Sequence, residues 1–551
     1  MSNISLTDIR KSKSFQIFQT LLCFGILAAV LTFCFSLLKY SFYPVDEPYQ
    51  IMNSMDYLNS PLAPLTAILD HFTNSLCGYD MLSAKYVGFL YMVLTIALSC
   101  TFFYNRTKRI CISVLMCAIL ILLTTWYFNT AMLIGWDRQT MFFTTIVILL
   151  FIKYVETNKI AYLIATAFAT CITTLCRIPS IAIIPILFII ILINKNLNIQ
   201  TRIKHAFIYA ISAIIFIFAF IIIMYGSIGN YACYIKANLI SNHGIYGLTI
   251  YYFVHFVTTM FPLCAVYCTY KVLTMIQHHI YAVFLFAVFA IIAFIYDMRI
   301  NPISHNSLRL INATIMLLEF VAIYKFYKES KTKELIIILA VFFVSFTPLL
   351  GSNTGLQKFL SYSVFPIILC LLKPIINKSF IITSGIIVVS SLSMISITMI
   401  NGGGVVIRTS ITESTLEFDF HPIKGIRVNP EWGSTINKIR QDIEDFKDDK
   451  ILVVGTYSDR YFLEWIYNSR NEYLSHDFEN SNKFNEYQYV DYISNKIKDS
   501  KENITVLYLY EKYFWEESNN PYESKMSQML ESNMDLAIKK DKYAIFISKK
   551  N

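Results

Sequence analysis

Two adjacent acids, Asp46 and Glu47, stand in the segment Phe42-Tyr43-Pro44-Val45-Asp46-Glu47-Pro48-Tyr49. Flanking prolines and tyrosines make the pair a rigid acidic point. In an extended segment neighbouring side chains project to opposite faces. One carboxylate could then take a proton from a hydroxyl while the other orients backbone or holds a cation. Two solvated loop acids are the plainer alternative, and the residues alone leave both open. A further acid, Asp137, lies in Gly135-Trp136-Asp137-Arg138. It could support such a site or simply cap the helix that begins there.

A set of cations accompanies these acids at the ends of apolar runs: Lys85, Arg138, Arg177, Arg299, Arg309 and Lys358. They suit a negatively charged ligand such as a lipid-linked phosphate. Snorkelling to headgroups would also account for them. Arg177 is the sharpest case, because Cys176-Arg177-Ile178-Pro179 joins two apolar runs with almost no polar cushion. A charge so placed requires a partner or a cavity. Glu319 is similarly enclosed and is read as structural pairing. His71, His243, His255 and His305 are scattered without ligand spacing. No CxxC pair is present, so no metal ligand is assigned and a divalent cation is left open.

The elements that must position these residues follow from composition. Of 551 residues 56% are hydrophobic and 15% charged, and the mean hydropathy is +0.52. Soluble domains carry about 25% charged residues, so most of this chain cannot face water. Residues 1–401 hold 26 basic and 12 acidic residues, net +14, and residues 402–551 hold 20 and 25, net −5. The basic excess belongs to the apolar part, which argues against nucleic-acid binding. All twelve cysteines fall between Cys23 and Cys370. Only Cys77 and Cys233 fall in loops where a disulfide could form.

Spanning helices need about 20 apolar residues. By that criterion about thirteen are expected, beginning near residues 15, 84, 109, 137, 159, 178, 204, 249, 279, 308, 334, 358 and 378. The first follows Arg10, Lys11 and Lys13. It is too long for a signal-peptide core, so it is read as a retained helix. With the N-terminus cytoplasmic, 18 of the 26 basic residues of this part fall in inner segments, as the positive-inside trend requires. Asp46, Glu47, Asp56, Asp70, Asp80, Asp137 and Asp297 then lie outside. An odd number of crossings puts the C-terminal part outside as well.

The first outer loop, 40–83, is long. Leu62, Leu65, Ile68, Leu69 and Phe72 recur there at helical spacing, a stripe suited to the membrane interface. A helix plugging the mouth of the bundle fits the same pattern. After Asn401-Gly402-Gly403-Gly404 the chain changes character. Strands are expected at Ile451–Gly455, Ile504–Tyr510 and Tyr543–Ser548, with helices near 431–447, 459–469 and 484–499. This alternation describes a small soluble α/β domain over 402–551. Gly455 alone is no GxGxxG fingerprint, so no nucleotide site follows.

The layout resembles the GT-C glycosyltransferases, in particular the polyprenyl- or dolichyl-phosphate-sugar dependent branch with protein mannosyltransferases and aminoarabinose transferases. The similar pieces are Asp46-Glu47 in a first outer loop, Pro61-Leu62-Ala63-Pro64-Leu65 behind it, Lys85 opening the second helix and Asp137-Arg138 opening the fourth. Cys176-Arg177-Ile178-Pro179 and Gly355-Leu356-Gln357-Lys358, leading to Pro366, complete the set. The chain departs from the family's His-Pro-Pro-Leu element: the histidine is missing and Ala63 separates the prolines from one another. Lys85 stands where arginine is common.

The resemblance implies a GT-C-like polytopic membrane bundle with a C-terminal soluble α/β domain, in a bacterial inner membrane. It implies transfer of a sugar from a polyprenyl-phosphate-sugar donor to a lipid, glycan or protein acceptor, with inversion. Asp46 would be the base, with Glu47 and Asp137 in support. Lys85, Arg138, Arg177 and Lys358 would meet the donor phosphate. A transporter or flippase of lipid-linked saccharides is the other class to weigh. It leaves the structured acidic loop and the large terminal domain without a role.

Overall fold

In the computed structural model, the described residues are 13–40, 46–55, 57, 63–128, 136–238, 319–320, 322–347, 361–372, 414–455, 459–467, 486–500, 502–509 and 521–549. The chain is mostly helical, with a small sheet near its end.

Apolar composition and capping chemistry set the helices of the first part. Helix α1 runs Lys13–Leu37, followed by a 3-10 turn Leu38–Tyr40. Two short helices fill the first loop, α2 Asp46–Met55 and α3 Pro64–Leu76. The bundle continues with α4 Met81–Thr107, α5 Ile110–Phe128, α6 Trp136–Thr157 and α7 Ile160–Cys176. After a 3-10 turn at Ile178–Ala182 come α8 Ile183–Leu192, α9 Ile199–Tyr225 and α10 Ile228–Asn238. Later described helices are α11 Thr332–Ser345 and α12 Ser361–Leu372. Asp80 caps α4 by accepting from the Ser83 amide at 2.9 Å, and Asn198 caps α9 by accepting from Thr201 at 2.8 Å. Gly226, at φ +73, ends α9 in a conformation that glycine adopts without strain.

Among the described residues, four helices are long and apolar enough to cross a membrane: Ser14–Tyr40, Met81–Thr107, Asp137–Thr157 and Ile199–Tyr225. Ile110–Leu122, Ile160–Cys176 and Ile178–Leu192 are shorter apolar helices. The chain is thus built as a membrane protein. The spans expected near 249, 279 and 378 lie outside the described residues. A continuous apolar core binds the bundle, from Leu38 and Phe89 through Phe151, Leu187 and Tyr209 to Val341 and Ile367.

The terminal part begins with a two-stranded ribbon, β1 Leu416–Glu417 against β2 Arg427–Val428, and α13 Pro430–Glu444. Strand β3 Lys450–Gly455 pairs in parallel with β4 Ile504–Leu509, the crossover carrying α14 Asp459–Ile466 and α15 Glu486–Lys498. Helix α16 Pro521–Asn533 and strands β5 Met534–Lys539 and β6 Tyr543–Ser548 follow, in sheet order β3-β4-β6-β5 with β6 antiparallel to both neighbours. Side chains alternate along the strands. Val453, Leu507, Leu509 and Ile545 enter one core, while Leu452, Val454, Val506 and Phe546 enter another.

The first of those cores also contains Ile51 and Met52 of α2 and Met81 and Ala84 of α4. Helix α14 packs directly on α2. The amide of Met81 donates to the Pro422 carbonyl at 3.0 Å, and Arg427 donates to the Tyr40 hydroxyl at 3.2 Å. The terminal domain and the first loop therefore share one face of the molecule.

Candidate functional site

The first loop gathers the expected residues at one end of the bundle. Residues 46–47 are helical rather than extended. The reason is the position of Pro48, third in α2. The first four amides of a helix lack intrahelical partners, so a missing N–H there costs nothing. Glu47 turns inward. Its Oε2 lies 3.2 Å from Lys85 Nζ, and both side chains have zero solvent exposure. Asp46 opens α2, and its side chain lies outside what the structure describes.

Asp137 falls in the first turn of α6 rather than at the capping position before it. An acid there still favours the positive end of the helix dipole. Its Oδ1 lies 3.8 Å from a guanidinium nitrogen of Arg177. Arg177 itself occupies the break between α7 and the next 3-10 turn, with extended backbone at φ −158 and ψ 109. Pro179 at the start of that turn helps to make the break. Of the partner or cavity expected for this charge, Asp137 supplies a partner. Arg138 is buried at 2% exposure, its guanidinium 4.0 Å from Met141 Sδ. Lys358 lies outside the described residues. Cys77 and Cys233, the two cysteines read as able to bridge, are both exposed free thiols.

Helix α3 is the hub of this end. It packs on α2, α4, α6 and α7. Its buried residues include Thr66, Asp70 and Asn74, spaced by four and hence on one face. Thr66 Oγ1 donates to the Cys176 carbonyl at 3.1 Å, next to Arg177. Asp70 Oδ1 accepts from Gln139 Nε2 at 2.6 Å, two residues from Asp137. Asn74 Nδ2 donates to Ser54 Oγ at 3.0 Å, tying α3 to α2. His71 adds a fourth link: its Nδ1 is 2.9 Å from the Ser54 carbonyl and 2.9 Å from the Tyr79 hydroxyl. Burial pushes the Asp70 carboxyl up from 3.8 to about 7, against the opposing effect of the Gln139 hydrogen bond.

Asp70 and Gln139 are the site residues that sequence reasoning missed. The signal for Asp70 was present, since the polar positions 66, 70 and 74 complement the apolar stripe. Nothing in the sequence marked Gln139. Chemically, the end combines two acid–base ion pairs with a carboxyl poised to titrate near neutrality. Among the described residues, no group of three or more His, Cys, Asp or Glu side chains is close enough to hold a metal ion.

Compared with known proteins, the chain matches no protein-family model, and a search of curated proteins returns no match.

Proposed function

We propose that this chain is an integral membrane glycosyltransferase of GT-C-like build, with about thirteen spans and an extracytoplasmic terminal domain. It moves a sugar from a polyprenyl-phosphate donor to an acceptor on the extracytoplasmic face. The observation that carries the reading is that first-loop helix α3 packs on α2, opened by Asp46, and on α4, α6 and α7, whose ends carry Lys85, Asp137 and Arg177.

In this reading the acceptor hydroxyl oxygen attacks the anomeric carbon as the carbon–oxygen bond to the phosphate breaks. The hydroxyl proton passes to Asp46, and the electron pair leaves with the polyprenyl phosphate. One displacement inverts the anomeric centre. The phosphate is its own leaving group, so cations rather than a general acid assist it. Arg177, Arg138 and Lys358 serve that purpose, steadied by Asp137. Lys85, neutralised by Glu47, holds the acidic helix against α4. The acceptor class, lipid, glycan or protein, and any divalent cation are for the assay to identify.

The test is single-turnover transfer by purified protein in lipid nanodiscs with a radiolabelled polyprenyl-phosphate sugar. Wild type should release free polyprenyl phosphate. Asp46→Asn keeps the shape but cannot accept the proton, and loss of a general base costs about 10²–10⁴-fold in rate. Donor binding should survive. A folded Asp46→Asn protein with wild-type transfer would remove Asp46 from the chemistry. Donor moved across the bilayer intact by wild type, with no free phosphate, would make the chain a flippase.

A further inference from the structure

At the end of the bundle away from the first loop, α4 closes on Lys108, at φ +56, and α5 begins two residues later. Cys111 is the second residue of α5. Its sulfur lies 3.7 Å from the Thr20 hydroxyl of α1. Cys23 follows Thr20 by three residues and shares its face of that helix. The Cys23 thiol lies beside that of Cys111, within side-chain hydrogen-bonding reach. Helices α1 and α5 pack along one another, so helix packing sets the meeting of the two sulfurs.

A second thiol pair gives the contrast. Ser113 Oγ donates to the Cys100 carbonyl at 2.6 Å, which seats α5 on α4. Cys117, one turn beyond Ser113, lies beside Cys100, and both are buried. Cys23 is buried too, but Cys111 is only half-buried. Lys108 and Arg109, both exposed, immediately precede it, and the first turn of a helix adds the positive end of its dipole. Partly exposed cysteines in electropositive surroundings are the reactive ones, and buried ones are inert. A reactive thiol with a second thiol against it is the arrangement that resolves an oxidised cysteine to a disulfide.

We propose that Cys111 and Cys23 form a peroxide-sensitive thiol pair that links α1 to α5 on oxidation. The Cys111 sulfur attacks one oxygen of a hydroperoxide. The O–O bond breaks, a sulfenic acid forms on Cys111, and the other oxygen leaves as water or an alcohol with the thiol proton. The Cys23 sulfur then attacks the sulfenic sulfur. The S–S bond forms, and the hydroxyl leaves with the Cys23 proton as water. The two thiols lose two electrons and two protons, which the hydroperoxide takes up. The pair uses none of the reacting groups of the transferase reading.

The experiment uses the full-length protein in nanodiscs, with Cys77→Ser and Cys233→Ser removing two exposed thiols. The protein is titrated with hydrogen peroxide, alkylated, digested and analysed by mass spectrometry. A peptide linking Cys23 to Cys111 should appear at a peroxide concentration at least about tenfold below any that links Cys100 to Cys117, as the difference between a half-buried and a buried thiol implies. Dithiothreitol should remove the link. With Cys23→Ser added, the sulfenic acid has no resolving thiol, and dimedone should label Cys111. Absence of the Cys23–Cys111 link overturns the proposal. A Cys100–Cys117 link at the same or lower peroxide overturns it as well, because burial would then not govern reactivity. Absence of dimedone at Cys111 in the Cys23→Ser protein removes Cys111 as the attacking thiol, with the same consequence.

Discussion

The ammonium of Lys85 stands 3.2 Å from the Glu47 carboxylate with both side chains fully buried. The pair joins α2, the acidic helix of the first loop, to the opening turns of α4. Next to each partner are residues of the terminal domain's core: Ile51 and Met52 follow Glu47 by one helical turn, and Met81 and Ala84 precede Lys85. The ion pair is thus a junction of three parts: first loop, bundle and terminal domain.

Breaking such a pair from one side leaves a buried charge without its counter-charge, at a cost of about 3–5 kcal/mol. Glu47→Gln and Lys85→Met should each lower unfolding stability in a fixed detergent by that order. The double variant should be much less harmed than the sum of the two, because no lone charge remains. Additive losses in the double-mutant cycle would show that the two side chains are stabilised separately.

The shared core makes a second prediction, about which helix the terminal domain holds. Phe462 of α14 is fully buried, with its ring 5.1 Å from Trp432 and 6.2 Å from Trp465. Phe462→Ala should cost about 3–5 kcal/mol and should selectively speed hydrogen exchange in residues 46–55, since α14 packs on α2. Phe546 lies in the other core of the same sheet. Phe546→Ala should destabilise the domain comparably without that local signal. Equal exchange of 46–55 in the two variants would mean that α14 does not hold α2.

The same contrast explains which parts of the molecule can be read from the chain. Strands β3, β4 and β6 are apolar runs and lie where the sequence puts them. Strand β5 is an edge strand in which only Met534 is buried, so the alternation of Met534, Leu536 and Ile538 does not mark a buried face. Helix α16, with its mixed polar sequence, is equally silent. Helix α2 hides behind Pro44 and Pro48, because proline marks a break in most positions and is neutral in a helix's first turn. For the site, charges in apolar surroundings betrayed Lys85, Asp137 and Arg177. Their pairings were less legible: Glu47 meets Lys85 across 38 residues and Asp137 meets Arg177 across 40, distances that only packing closes. Asp70 was passed over because the apolar stripe of α3 drew attention to the face that turns away from the protein.

Arg177 offers a test of whether its charge serves a ligand or only Asp137. Under the proposed function, Arg177→Ala weakens binding of a polyprenyl-phosphate sugar by about tenfold or more, as loss of a charge-assisted contact of 1.5–3 kcal/mol implies. Arg177→Lys should recover part of that binding, because the charge is kept while the planar fork is lost. Asp137→Asn should destabilise the protein with a smaller effect on binding. If Arg177→Ala and Asp137→Asn lose stability alike and neither changes donor affinity, the pair is structural.

The pH dependence of stability isolates Asp70. Its carboxyl is raised from 3.8 to about 7 by burial, so the folded protein holds this proton more tightly than the unfolded chain. Stability from this group is fully present below about pH 4. Between about pH 4 and 7 the unfolded chain releases the proton while the folded protein keeps it, and stability falls with each unit by about 1.4 kcal/mol. Above about pH 7 both states are ionised and the group's contribution is constant. His71 follows Asp70 and binds the Ser54 carbonyl and the Tyr79 hydroxyl, so the part of the slope that belongs to Asp70 is the difference between wild type and a variant that lacks this carboxyl. Asp70→Asn keeps the acceptor for Gln139 and cannot ionise. The variant should match wild type near pH 4 and exceed it by a few kcal/mol at pH 8. Gln139→Leu removes the donor that favours the ionised form. It should extend the decline of stability to higher pH than in wild type. Chemical unfolding in detergent from pH 4 to 8 measures all three proteins. Parallel curves for wild type and Asp70→Asn would place the Asp70 carboxyl back in the ordinary range and in contact with water.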